Sequence, residues 1–279
     1  MDITEPSLTV LSKFWLNSGD IFREAAASPL QSSSAAAADA LQVVSFLSPA
    51  SVASGKLLAS YDAARAVSLL WQRQESHLVA DYALLRAVLE CAALAWWVIV
   101  PTDSEERVRR AARVIRDDLG QALIREKSAV KDAIDHKMVR ETRAAIIPRI
   151  EERLDRVTAS LSAAGIQLKE ADAKKTRLDL HAILHEAENC IEGVRPLDFT
   201  LSWAILSSLS HGSLEAMMQS ADVEVDTTGV RFIAADPEQV AAYALGITPL
   251  LHAGHDRWNE YCAPLVPKDS AAENANRSG

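Results

Sequence analysis

The sequence is poor in the residues that staple or punctuate a chain. Cysteine occurs three times, at Cys91, Cys190 and Cys262. The number is odd, the sites are far apart and no Cys-x-x-Cys spacing occurs, which argues against a disulfide framework and against a thiolate zinc site. Aromatic residues make up only 5%, so the core must be built from aliphatic side chains and alanine. Basic residues are outnumbered, with 29 Lys and Arg against 38 Asp and Glu, for a net charge of −9. A chain of that balance has no global attraction to phosphate backbones. The first residues, MDITEPSLTV, lack a basic stretch followed by an apolar core and do not read as a secretory signal. With the unpaired cysteines this predicts a reducing, cytoplasmic setting.

A long uncharged apolar run is missing as well. The nearest approach, LVADYALLRAVLECAALAWWVIV from Leu78 to Val100, is interrupted by Asp81, Arg86 and Glu90. Only about ten uncharged residues remain before Pro101, where a membrane span needs about 20. The segment reads as a buried central helix and predicts no membrane partner.

What is present is helix-forming. Hydrophobic residues reach 49%, enough for a chain of 279 residues to bury roughly three quarters of its unfolded surface in one large domain or two ordinary ones. Alanine recurs in runs, at Ala25 to Ala27, Ala35 to Ala38 and Ala92, Ala93, Ala95, and alanine costs least in a helix. Apolar spacing at Leu8, Leu11, Trp15, Ile21 and Phe22 predicts a first helix after Pro6. Further helices follow Pro29, from about Ala50 to Trp71, and from about His77 to Val100, the last apolar on every side as for a helix surrounded by neighbours.

Asp103 to Ala164 is different in kind. Residues 103–156 hold 14 basic against 12 acidic side chains, so the remainder carries 15 against 26. Apolar residues keep three- and four-residue steps through Val108, Ile115, Leu119, Val130 and Met138, then heptad spacing through Ile150, Leu154, Val157 and Leu161. Unbroken, such a helix would approach about 90 Å, so a break is predicted near Gly120 or Pro148. Gly165 closes it and a helix from about Glu170 to Ile191 returns. Leu197 to Ser220 reads as another helix. VEVDTTGVRFIA alternates as a hairpin does over residues 223–234, and Asp236 with Pro237 opens a last helix ending near Cys262.

The expected fold is all-α: a helical bundle with a long charged helical pair and one small β-hairpin near the C-terminus. Its parts are residues 1–102, a charged arm at 103–192, completing helices at 193–263, and a disordered tail at 264–279.

Three pieces carry a resemblance: Arg-x-x-x-Glu before paired tryptophans (LLRAVLECAALAWWVIVP), Ser-x-x-x-His-Gly (Ser207 to Gly212, SSLSHG), and GVRFIAADPEQVAAYAL. Together, over about residues 50–262, they resemble a group of uncharacterised helical proteins common in high-GC bacteria, which implies no activity. A looser similarity links such proteins to helical toxins that cut RNA. Their motif places four to six residues between Arg and His, whereas Arg73 to His77 and Arg177 to His181 have only three, so no catalytic residue carries over.

Arg86 and Glu90, four apart on a helix with no polar face, are candidates for an anion clamp or acid–base element in a buried pocket, or for a structural pair. Ser207 and His211 share the same spacing, as a nucleophile and its base would, yet no strained turn exposes Ser207. If a polar pocket exists, His211 is expected beside Arg86 and Glu90. His181 and His185 with Glu188 are the metal candidates, against the plainer reading of a polar helix flank. No cofactor loop or fingerprint is visible. The densest basic patch holds Arg107, Arg109, Arg110, Arg113 and Arg116 and is flanked by acids, which fits a solvated helix face; its sharper reading is an RNA groove. With no catalytic set complete, the expected function is a non-catalytic interaction or regulatory protein, possible as a dimer. The alternative is an enzyme or small-ligand binder, in its most specific form a helical RNase of stress or phage defence.

Overall fold

The computed structural model describes residues 5–73, 77, 79–133, 136–168, 177–191, 198–226 and 229–265. The fold is all-α. In chain order the helices are α1 (Glu5–Ala27), α2 (Ala35–Ala40), α3 (Pro49–Gln72), α4 (Ala80–Ile99), α5 (Ser104–Asp132), α6 (Lys137–Ala144), α7 (Ile147–Ala163), α8 (Leu180–Cys190), α9 (Phe199–Ser210), α10 (Leu214–Ser220) and α11 (Pro237–Cys262). Two extended segments, β1 (Ala221–Asp226) and β2 (Gly229–Ala235), lie antiparallel between α10 and α11, with an irregular register at Asp222 and Val223.

Local chemistry sets most helix starts. The side chains of Asp103, Asp179, Asp198 and Asp236 each accept a hydrogen bond from the first-turn amide of the helix they precede, as do those of Ser34 and Ser48. Each such cap satisfies a donor that the helix leaves orphaned.

α4 lies at the centre, against α3, α5, α8, α9 and α11. It is long and apolar enough to cross a membrane by length and composition, and 61% of its apolar window is buried inside the fold. Around it, Leu57, Leu85, Leu89, Ile99, Leu184, Leu206 and Ile247 form one continuous core. A second, smaller core lies where α5 and α7 meet a 3-10 turn at Ser45–Leu47, built from Leu47, Val108, Ala112, Leu119, Ile150, Val157 and Leu161. Heptad spacing in α7 thus faces α5, as knobs on one stripe should.

The charged stretch differs from the sequence expectation in two ways. Two breaks occur where one was expected, the first between Asp132 and Lys137 and the second at 145–146, just ahead of Pro148. Gly120 stays inside α5, and Pro148 sits in the first turn of α7, where its missing N–H costs nothing. Nor does 103–192 hold together as one arm. α8 buries Ile183, Leu184 and Ala187 in the main core and packs on α4, which leaves the arm as α5, α6 and α7. The expected helix 197–220 is likewise divided: Gly212 adopts φ +70° just after α9, a left-handed step that suits glycine and stops the helix. The start of the helix expected from Glu170 and the tail beyond Leu265 lie outside the described residues.

Candidate functional site

Arg86 and Glu90 pair on α4 with Nε 2.7 Å from Oε1, the geometry that i, i+4 spacing allows. The same carboxylate oxygen accepts the indole N–H of Trp203 from α9 at 2.7 Å. At the end of α9, His211 brings its Nε2 to 3.2 Å from Arg86 Nη1. Arg86, Glu90 and His211 are therefore brought together, and Trp203 joins them.

The cluster is not the sealed pocket expected from the apolar helix. The side chains of Arg86 and Glu90 are 24% and 27% exposed, and His211 faces solvent. Ser207 does not join: its hydroxyl has no hydrogen-bond partner among the described residues. A guanidinium can only donate, so His211 Nε2 accepts from it and the ring proton sits on Nδ1. The nitrogen facing the cluster is thus occupied, and no nucleophile–base pair is assembled. Trp203 was legible only as an apolar residue; the acid that binds its N–H lies 113 positions away.

The arginine patch is largely tied down. Arg107 is 5% exposed and belongs to a buried network. Its Nε and Nη2 donate to Asp39 at 2.6 and 3.0 Å, and its Nη1 donates to the carbonyls of Pro101 and Thr102. Arg109 pairs with Glu105 and Glu106. Arg110 pairs with Glu106 and Glu186 and lies over Trp97, as does Arg113. The Trp97 indole N–H itself donates to Glu186 at 3.0 Å. Burial raises the pKa of Glu106, but the hydrogen bonds from Arg110 and Arg109 outweigh it and hold the carboxyl below its usual value. Only Arg116 has no partner among the described residues. Of the five arginines, Arg107, Arg109 and Arg110 are thus committed to acids, and Arg113 lies over Trp97.

His185 meets Glu188 at 3.3 Å, while His181 is exposed without a polar partner among the described residues. Among those residues no group of three His, Cys, Asp or Glu is placed to hold a metal ion. Glu188 is engaged elsewhere, accepting the Thr200 N–H at 2.5 Å beside the capping Asp198. The pair closes the start of α9 rather than opening a metal site.

Comparisons with protein-family models, with curated proteins and with solved structures find no match. Function must be read from geometry.

A further polar seam joins α11 to α1 and α3. His252 stacks on Phe14 with ring centroids 4.7 Å apart. Nδ1 of His255 lies 2.8 Å from the Tyr61 hydroxyl, and its ring meets Phe22 edge-on. Two histidines of α11 therefore clamp α1. Burial lowers the His255 pKa, partly opposed by Asp256 and reinforced by His252. The fold then favours the neutral ring. Its contribution is complete above the unfolded value of about 6.5 and is lost as pH falls from there through the lower folded value. Thermal denaturation between about pH 7 and pH 5 should show a falling Tm that His255→Gln flattens. An unchanged slope in the variant would remove this role.

Proposed function

We propose that the protein acts by binding another protein surface through its charged arm, and not by catalysis. One observation supports this above the others: α6 buries none of its residues, and Met138 and Val139 are 78% and 44% exposed. A helix of eight residues is marginal on its own, and apolar side chains gathered in solvent mark contact surfaces. The groups that chemistry would need are meanwhile committed to ties: Arg86 to Glu90, Arg107 to Asp39, Glu188 to the start of α9. The small hairpin at 223–234, a cytoplasmic setting and the kinship with high-GC bacterial helical proteins belong to the same proposal. Affinity capture from a cell extract, with the wild-type chain and with Met138→Glu/Val139→Glu as baits, checks it. Both substitutions are exposed and should change stability by less than about 0.5 kcal/mol. At least one protein held about tenfold more by the wild type is the expected outcome; identical sets would overturn the reading.

A second reading, a small-anion site, is favoured by the contact between Arg86 and His211 at a half-open position. Titration with inorganic phosphate should then shift the His211 ring resonances, and Arg86→Met should abolish the shift while leaving a cooperative fold. An indifferent wild-type imidazole would dismiss it, as would an Arg86→Met chain that fails to fold.

A further inference from the structure

Two exposed apolar ridges of opposite charge lie on different parts of the molecule. The first is α6, with the sequence KMVRETRA, three basic residues against Glu141. Arg143 is paired to Glu126 and Lys137 only loosely to Glu141, at 3.8 Å. Arg140 is exposed and has no partner among the described residues. α6 packs only on its arm neighbours α5 and α7 among its main contacts.

The second ridge is α10, which packs on α9, β1 and β2. Ala216 and Met217 turn into the main core. Leu214 and Met218, one turn apart, stay outside at 61% and 54% exposure, with Glu215 exposed between them. From Leu214 to Glu238 the sequence holds six acidic residues against Arg231 alone. Each ridge thus offers what the other lacks: Met138 and Val139 next to the exposed Arg140, Leu214 and Met218 next to the exposed Glu215.

We propose that the partner of the arm is a second copy of this chain, with α6 of one copy seated against α10 of the other. This rests on the reading that the arm binds protein, and it commits that reading to one occupant. Charge complementarity sets the register and the encounter rate, and the buried methionine and leucine side chains supply the contact area. Two short helices make a small interface, so association belongs in the micromolar range. The two patches differ, so each contact runs from one ridge to the other kind. A dimer satisfies both ridges if each arm reaches its neighbour's α10; otherwise the contact propagates as a chain.

Light scattering of the purified chain over a concentration series tests this. The expected result is a mass that rises above the monomer, either stopping at twice its value or continuing to grow. Raising the salt from about 0.05 to 0.5 M should weaken association about tenfold. Arg140→Glu and Glu215→Arg should each be monomeric, with an unchanged circular dichroism spectrum and Tm, and mixing the two should restore the heavier species. A wild-type monomer at every concentration overturns self-association, as does an oligomer indifferent to both substitutions. If the monomer persists while Met138→Glu/Val139→Glu still changes what is captured from an extract, only the choice of partner has failed.

Discussion

Exchange of Asp39 for asparagine is expected to lower the unfolding free energy by about 3–5 kcal/mol. Asp39 is fully buried and accepts four hydrogen bonds. Two come from Arg107, one from the Tyr261 hydroxyl at 2.7 Å and one from Ser104 Oγ at 2.5 Å. Asparagine puts an NH₂ donor against one of these donor pairs and removes the charge facing a guanidinium that is almost as deeply buried. Arg107 also lies 5.2 Å from the centre of the Tyr261 ring. Burial opposes its charge, but Asp39 overcomes this and raises the Arg107 pKa. Tyr261 is driven the same way, by burial and then by Asp39. The network joins α2, the start of α5 and the end of α11, so its loss loosens the seam between the main bundle and the arm. Urea denaturation measures the change. The double variant Asp39→Asn/Arg107→Met should lose less than Asp39→Asn alone, because no uncompensated cation remains. A loss below about 1 kcal/mol for Asp39→Asn would contradict this account of the seam.

The second large effect is expected at Trp15. Its side chain is 1% exposed, its ring lies 5.8 Å from that of Trp71 on α3, and its N–H donates to Thr248 Oγ1 on α11 at 3.1 Å. Trp15→Ala should cost about 3–5 kcal/mol through lost burial and an unfilled cavity. That is a large share of a typical domain stability of about 5–15 kcal/mol. Trp15→Phe keeps most of the volume and drops the hydrogen bond, so it should cost about 1–2 kcal/mol. Equal, small losses in both variants would mean that α1 is not part of the cooperative core. The same denaturation series decides this.

Local patterns in the sequence carried much of the fold. A mostly apolar helix before Pro101 belongs at the centre because most of its surface must be kept from water, and Asp103 and Asp236 cap the helices that they precede. The break at 145–146 falls just ahead of Pro148, where the sequence signals one, whereas the break between Asp132 and Lys137 was not legible, since no proline or glycine falls there; tertiary folding of α6 back along α5 decides it. Asp39 was hidden for a different reason. It is a lone acid in an alanine run whose partner lies 68 positions on, and nothing local distinguishes Arg107 from the arginines that follow it. At the candidate site, the Arg86–Glu90 contact follows from helical spacing, whereas the involvement of Trp203 and the exclusion of Ser207 depend on how α9 rotates against α4.

Amide hydrogen exchange of the wild-type chain at low and high protein concentration tests the proposed binding arm most directly. Slower exchange in residues 137–144 and 214–220 at the higher concentration, with none added around Arg86 and His211, is the predicted pattern. Exchange that is independent of concentration in both helices, or protection confined to the Arg86 cluster, would contradict it.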